Sequence, residues 1–373
     1  MEATIGGTKR HLFDLTTAMD TDAFVVEVAC PPVRSEAHGD VSFADDLRDA
    51  GVTVRTVPMV RAVDPIADAV TTARLARLIR VGRYHVVHTH STKAGLTGRM
   101  AARFQTRTVH TPHGFYYLNF RNIVPRISMR SLERVLGAMT DRVITLSEGE
   151  HREAVSLLGH DRVRLVPNGL DPFKPLSRRE ARQKLGIPED VPVVGTTSRF
   201  TAQKAPFDIV AAFHAISRER PDTRLLWING GELREPVQQK LSDLGLINGA
   251  VLPGFTPDAR TLVPAMDVFL HMARWEGVPY AVMEAMMSGV PVVGARAIGT
   301  SDLIEHGHNG LLVDPGDGPA AGRAALRLLT QPGLAHTIKE VGVRTMQQRY
   351  DRGAMARATE AVYRELVRDN LKC

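Results

Sequence analysis

The sequence predicts an α/β protein built from two doubly wound, Rossmann-like domains, and three observations lead there. Short β-branched runs alternate with segments of helical apolar spacing along almost the whole chain, and strands joined by helical crossovers form parallel sheets covered on both faces. The alternation stops at PNGLDPFKPLS (167–177), where three prolines, a glycine and an asparagine break regular structure, and then restarts. A length of 373 residues exceeds one ordinary domain and suits two. The expected limits are 1–170 for the first domain and 171–350 for the second. A closing segment, 351–373, holds a helix with no strand after it that packs back on the first domain.

In the first half, strands are expected at 23–29, 52–58, 84–90, 107–113, 141–147 and 161–169. Helices fall at 9–19, 41–51, 64–82 and 93–104, the third carrying apolar residues at helical spacing and ending on Gly82. The second half repeats the scheme, with strands at 191–200, 223–231, 249–255, 267–273 and 290–295 and helices at 205–219, 234–244, 258–265 and 279–288. The last helix covers 351–369. One feature departs from a doubly wound domain, which begins on its central strand and follows it with a glycine-rich turn. Here Ile5-Gly6-Gly7-Thr8 has only four residues before it. The first strand of the N-terminal domain is therefore expected to be missing, its residues lying upstream, and such a chain is expected to melt low or aggregate.

Composition narrows the class. With 43% hydrophobic and 24% charged residues the chain reads as an ordinary globular protein. No stretch of about 18 apolar residues occurs, as a membrane span requires. Cys30 and Cys373, far apart, fit free thiols in a reducing cytoplasm better than a disulfide framework. Formal net charge is +6 and the pI about 9.5. Basic residues concentrate at Lys93, Arg99, Arg103, Arg107, Arg121, Arg126, Arg130 and Arg134, against one acid, Glu133. Within them FYYLNFRNIVPRISMR (115–130) mixes aromatic and apolar residues with arginines, the composition of an interfacial segment. A peripheral contact of 93–134 with an anionic membrane face is expected, a solvated loop lining a cleft being the alternative. No nucleic-acid motif accompanies the patch, so no nucleic-acid partner is expected.

The segment EGVPYAVMEAMMSGVPVV (276–293) carries the most chemistry. Pro279 suits a helix start, where its missing N–H costs nothing. Glu276 then lies in the loop ahead and Glu284 in the second turn. The N–H groups of such a start favour an anion such as a diphosphate, and two flanking carboxylates accept hydrogen bonds from sugar hydroxyls. Asp20-Thr21-Asp22 has the D-x-D spacing of metal-dependent sugar transferases, but it falls between a helix end and a strand start, away from the carboxyl ends of strands where such sheets bind ligands. His85, His88, His90, His110 and His113 alternate along two strands without a cysteine, so no metal is expected there. His113, just past a strand and before Gly114, stands where cleft residues belong; His90 also ends its strand. Gly6 and Gly7 allow close backbone approach to a ligand, while Gly230-Gly231 serve a ligand or simply end a strand. Met283, Met286 and Met287 are expected to pack as core.

These pieces together resemble glycosyltransferase family 4, retaining enzymes of the GT-B fold. The segment 276–293 resembles its E-x7-E signature, SRFTAQKAPFDIV (198–210) its Arg…Lys loop, and LLWINGGEL (225–233) its strand and glycine turn before the base pocket. GTSDLIEHGHNGLLVDPGD (299–317) resembles its closing donor loop and IGGTKRHLFDL (5–15) its first glycine loop. VVHTHSTKAGLTGRMAAR (86–103) and HTPHGF (110–115) resemble its acceptor-side strands. The likeness runs nearly end to end. It implies two domains facing across a cleft, with the second holding the donor. It implies transfer of a sugar with retention of configuration and without a cofactor or metal. The donor is a nucleoside-diphosphate sugar, UDP first and GDP second, and the acceptor a glycan or lipid-linked hydroxyl. The catalytic positions it implies are His113, Arg199, Lys204 and Glu276. Donor contacts are implied at Gly6, Gly7, Gly230, Gly254, Phe255, Gly277, Val278, Pro279, Tyr280 and Glu284. The expected setting is surface polysaccharide or glycolipid synthesis in the cytoplasm, on the inner face of the membrane. The alternatives are a nucleotide-sugar epimerase of the same fold or, with the first strand lost, an inactive binding protein. A dinucleotide oxidoreductase needs G-x-G-x-x-G after a strand, and none stands in a fitting place.

Overall fold

The computed structural model describes residues 6–32, 42–60, 62, 64–120 and 122–370. The chain divides into two compact units: Met1–Gly169 with Arg352–Cys373, and Leu170–Asp351.

The first unit runs α1 (Gly7–Ala18), β1 (Glu27–Cys30), α2 (Phe43–Asp49), β2 (Thr53–Thr56), α3 (Pro65–Gly82), β3 (Val86–His90), α4 (Thr92–Ala102), β4 (Arg107–Thr111), α5 (Ile123–Gly137), β5 (Arg142–Thr145), α6 (Glu148–Leu158) and β6 (Val163–Leu165). The second runs α7 (Arg178–Leu185), β7 (Val193–Thr196), α8 (Pro206–Glu219), β8 (Arg224–Ile228), α9 (Arg234–Asp243), β9 (Ala250–Gly254), β10 (Val268–His271), α10 (Tyr280–Met287), β11 (Val292–Ala295), α11 (Thr300–Leu303), β12 (Leu311–Val313), α12 (Gly318–Thr330) and α13 (Pro332–Arg349). Helix α14 (Arg352–Asn370) belongs to the first unit, where Met355, Ala356, Val362 and Leu366 share a core with Leu15, Met19 and Ile144.

Local signals set the helix ends. Asp64 accepts from the N–H groups of Ile66 and Ala67 at the start of α3, with Pro65 in the first turn, and Arg83 closes the helix in the left-handed region at φ 49°. Ser177 and Glu180 form a capping box on α7, which ends at Gly186 with φ 66°. The 258–265 segment, expected as an α-helix, is a 3₁₀ turn over Ala259–Ala265, because Pro264 inside it has no N–H for an α ladder. Segment 115–130, expected as an interfacial stretch or loop, becomes a 3₁₀ turn, Tyr116–Asn119, and the first half of α5. Helices α6, α7, α11, α12 and α13 and strand β12 add to the expected set.

The sheet of the second unit is parallel in the order β12-β11-β10-β7-β8-β9. Its inner strands are buried along their length, save Arg224 at the start of β8, as a sheet covered on both faces requires. The chain winds from β7 outward through β8 and β9, then returns to β10 on the other side of β7. The crevice at the carboxyl ends of β7 and β10 is thus the topological switch point where such sheets bind ligands.

In the first unit, β3-β4-β5-β6 form one parallel sheet and β1-β2 a separate pair. Among the described residues no strand lies between β1 and β3. A groove lies in that interval, lined by residues that include Glu27, Ala29, Met59, Leu75, Val86 and His88. The expected loss of the first strand falls on residues 1–5 and whatever precedes them, outside the described residues.

Candidate active site

In the second unit, two loops meet at the switch point. The first leaves β7 as Thr197–Ala205. Trp227 donates its indole N–H to the Ser198 carbonyl at 2.8 Å, and its ring stacks on Phe200 at 4.1 Å between centroids. Arg199, half-buried, is thereby held between two anchored neighbours. The loop continues through a 3₁₀ turn, Ala202–Lys204, and Ala205 in the left-handed region (φ 46°) passes it into α8. The second loop leaves β10 at His271. Gln203 ties the two together: its side-chain amide donates to the Trp275 carbonyl at 3.0 Å, and its own carbonyl accepts from the Arg274 N–H at 2.9 Å.

This juxtaposition pairs Lys204 with Glu276 through Nζ and Oε1, with both side chains largely buried. His271 lies beneath, fully buried, its Nε2 3.8 Å from the same carboxylate oxygen. Burial, and then the nearby Lys204 charge, hold its imidazole well below the usual histidine range, so it is neutral at pH 7. Neither nitrogen of His271 has a hydrogen-bond partner in the protein, nor do the buried hydroxyls of Thr201 and Thr300. Buried polar atoms are ordinarily satisfied, so a fully buried, unpartnered imidazole 3.8 Å from the Glu276 carboxylate marks a place built for a polar ligand.

Glu276, Gly277, Val278 and Pro279 lead into α10, with Pro279 at the cap, Tyr280 buried in the first turn and Glu284 half-buried in the second. The Glu276 N–H donates to the Ile298 carbonyl at 3.1 Å. Gly299 beside it has φ +83°, and a Cβ there would stand 2.8 Å from the Glu276 carbonyl oxygen, so only glycine lets the two loops approach. After β8, Gly231 rather than Gly230 is the position that requires glycine: its added Cβ would meet the Phe200 carbonyl oxygen at 2.6 Å, whereas Gly230 faces open space. Gly254, at φ +88°, ends β9 and is followed by Phe255, whose side chain is exposed. Of the three methionines expected in the core, Met283 and Met286 are buried and Met287 is half-buried.

The first unit presents a second cluster. Gly6 (φ 76°) caps α1 with Gly7 its first residue, and both are exposed. His113 follows β4 in the left-handed region at φ 59°, and Gly114 continues it at φ 92°. Glu150, buried in the first turn of α6, holds this turn by accepting from the Gly114 N–H at 2.6 Å and the Leu146 N–H at 2.7 Å. His113 Nε2 meets His90 Nδ1 at 3.1 Å, and its ring lies 4.7 Å from that of His11. His11 Nδ1 is 2.8 Å from Asn168 Oδ1. His88 packs on His90 and bonds Tyr363 and Thr111. Desolvation lowers all four histidines, His11 to about 4 and His88 to about 3, so they are neutral imidazoles at pH 7.

The expected site residues thus fall into two groups. Arg199, Lys204, Glu276–Tyr280 and Glu284 gather at the switch point of the second unit with Gly230, while Gly254 and Phe255 follow its edge strand β9. Gly6, Gly7 and His113 lie in the first unit. Asp20 and Asp22 sit in an exposed turn, with the Asp22 N–H bonded to Asp20 Oδ1. His271, Thr201, Thr300, Glu150 and His11 were not anticipated. His271 carried a signal: a polar residue at the carboxyl end of DVFLH, an otherwise apolar buried strand.

The basic patch also needs correction as a uniform cationic surface. Lys93 pairs with Asp68, Arg99 with Glu133, Arg107 with Asp141 and Arg130 with Glu153. Three of these acids, Asp68, Asp141 and Glu153, lie outside 93–134, which a local count misses. Arg103, Arg126 and Arg134 remain exposed, and Arg121 lies outside the described residues. No helix among the described residues is long and apolar enough to cross a membrane.

Comparison with known proteins agrees with this division. Residues 5–173 match the Glycosyltransferase Family 4 model, and 177–344 match the model of Glycosyl transferases group 1. The UDP-Gal:alpha-D-GlcNAc-diphosphoundecaprenol alpha-1,3-galactosyltransferase of Escherichia coli is 28% identical over 284 residues, 73% of each chain. The D-inositol 3-phosphate glycosyltransferase of Acidothermus cellulolyticus is 30% identical over 332 residues, 81% of this chain and 74% of that one. Among solved structures, Anabaena HepE in complex with UDP and glucose superposes with a TM-score of 0.82 over 97% of both chains at 20% identity, a likeness of fold. With a relative 30% identical across most of both sequences and two family models dividing the chain at its own domain boundary, the protein belongs to glycosyltransferase family 4 and has the two Rossmann-like domains of the GT-B class.

Proposed function

We propose that this glycosyltransferase is a retaining, metal-independent hexosyltransferase. Its donor is a UDP-sugar, with a GDP-sugar as the second candidate. Its acceptor is a hydroxyl of a glycan or lipid-linked intermediate in surface polysaccharide or glycolipid assembly, on the cytoplasmic side of a membrane. The observation that carries this reading is the Lys204–Glu276 pair at the switch point, with the unpartnered imidazole of His271 beneath it. The donor diphosphate takes the Lys204 charge together with Arg199 and the start of α10, which releases the Glu276 carboxylate to accept from sugar hydroxyls. Glu284 serves the ribose, Gly230 and the β9 end at Gly254 and Phe255 the base, and Gly6, Gly7 and His113 the sugar and acceptor. The acceptor oxygen attacks the anomeric carbon from the face of the leaving group. The bond from that carbon to the phosphate oxygen breaks, and that oxygen takes the acceptor proton. Fixed cations and dipoles supply the stabilisation a metal would otherwise give. The E. coli relative's UDP-galactose donor and the UDP bound by HepE support UDP as carrier.

Labelled UDP- and GDP-sugars incubated in EDTA, with and without lipid-linked or glycan acceptors, test this. The expected result is acceptor-dependent product with the donor's anomeric configuration, read by NMR. Inversion at the anomeric carbon, activity that returns only with Mg²⁺ or Mn²⁺, or sugar conversion without any acceptor contradicts it.

Helix α5 is the proposed membrane contact. Ile123, Val124, Ile127 and Val135 are 57–71% exposed and fall within an arc of about 120° at helical spacing. Arg126 and Arg134 stand exposed on the same helix. Apolar side chains inserted at the headgroup level beside free arginines are how an interfacial helix holds an anionic surface.

A further inference from the structure

The histidine cluster of the first unit holds more than the transfer reaction uses. His11, from α1, reaches it from one side; His90 ends β3 and His113 follows β4. One ring nitrogen of each lies within 4.8 Å of one from each of the others. His90 Nδ1 and His113 Nε2 are already 3.1 Å apart. Two nitrogens on one tetrahedral zinc ion, each bonded at about 2.0–2.1 Å, stand roughly 3.3 Å from each other. His11 therefore has at most about 1.5 Å to close, within reach of a side-chain adjustment.

The second observation concerns the unpartnered atom. His11 Nδ1 faces the Asn168 carboxamide oxygen, which only accepts, so Nδ1 carries the hydrogen. Nε2 is then a bare lone pair. It is buried and has no hydrogen-bond partner in the protein, and its residue is 2% exposed. A ligating histidine whose other nitrogen donates to an oxygen, fixing tautomer and ring direction, is the usual second layer of a protein metal site. The His113 backbone is also set in advance: its left-handed conformation is held through Gly114 by the buried Glu150 carboxylate. His113 is only half-buried, which leaves a way in.

We propose that His11, His90 and His113 form a binding site for a borderline-soft divalent cation, Zn²⁺ above all, with the fourth coordination position open to solvent. Imidazole donors without carboxylates select such ions over Mg²⁺ or Ca²⁺. The cation is not a catalyst of transfer: ligation holds His113 in the cluster, so occupancy restrains the residue that the proposed reaction assigns to the sugar. Metal-free transfer and metal binding here are alternative states of one chain.

The test is direct titration of the full chain, stripped with EDTA and dialysed, with Zn²⁺ or Co²⁺ alone. Co²⁺ should bind with one equivalent and develop the intense visible d–d absorption of a tetrahedral site, and Zn²⁺ should displace it. His11→Ala or His90→Ala, checked by circular dichroism for a folded chain, should weaken binding at least about 100-fold. Asn168→Ala should weaken it about 10- to 100-fold, the scale for losing an orienting partner. His85→Ala, an exposed histidine outside the cluster, should leave binding unchanged. Should a histidine variant not fold, the Co²⁺ spectrum of the unaltered chain still decides. Weak octahedral absorption, absence of binding, or binding unaffected in folded His11→Ala overturns the proposal. None of these readouts uses transferase activity, so failure here is distinct from failure of the transferase reading.

Discussion

Lys204 and Glu276 bring opposite charges into one largely buried corner, and what each does depends on the other. Removing Lys204 alone leaves a carboxylate without its counter-charge, so its effect on activity has to be read beside its effect on stability. Arg199→Ala and Lys204→Ala should each lower transfer at least about 100-fold, the scale for losing one electrostatic stabiliser of a leaving group. Near-normal turnover in either folded variant would remove that residue from the site. Arg199, Lys204 and Glu276 lie in loops and Glu284 in the second turn of α10, at spacings that the family resemblance singles out in the sequence. His271 and Glu150 were not, because their meaning comes from burial. A histidine at a strand end and a glutamate in a first helical turn are ordinary in sequence. One becomes a neutral polar floor under an ion pair and the other the clamp on His113 only after the chain folds. Glycine was legible as a class but not by position. Gly230 and Gly231 read alike, yet only Gly231 meets the Phe200 backbone.

At the level of elements, buried parallel strands announced themselves through β-branched runs, and their ends were placed within a few residues. Helix α5 was hidden because its apolar residues lie on two faces: Leu136 and Met129 pack on the core while Ile123, Val124 and Ile127 point outward, so no single core stripe marks it. The same fact makes it testable. The protein should co-float with anionic vesicles at low salt. Ile123→Glu combined with Ile127→Glu should abolish flotation while shifting Tm little, since both side chains are exposed. An unaltered chain that stays at the bottom of the gradient would leave α5 as a solvated surface. The basic count across 93–134 misled for the opposite reason, since Asp68, Asp141 and Glu153 come from neighbouring elements to pair with it.

Across the whole molecule, the halt and restart of the α/β pattern marked two units, and the structure divides within a residue or two of it. The units are unequal inside. The described core of the second joins residues from β7, β8, β10, β11, α8, α9 and α12 in one cluster, whereas that of the first falls into several smaller groups. A continuous sheet is the platform for the loops that carry Arg199, Lys204 and Glu276, and the proposed binding of the donor nucleotide to the second unit depends on them. Calorimetric titration of the full chain with UDP in EDTA tests it most directly. One UDP site is expected, at least about tenfold tighter than for uridine, which lacks the diphosphate, and at least about tenfold weaker in an Arg199→Ala/Lys204→Ala chain that still melts cooperatively, a difference of about 1.4 kcal/mol in each comparison. Equal affinity for UDP and uridine, or UDP binding untouched by the double substitution, would contradict it.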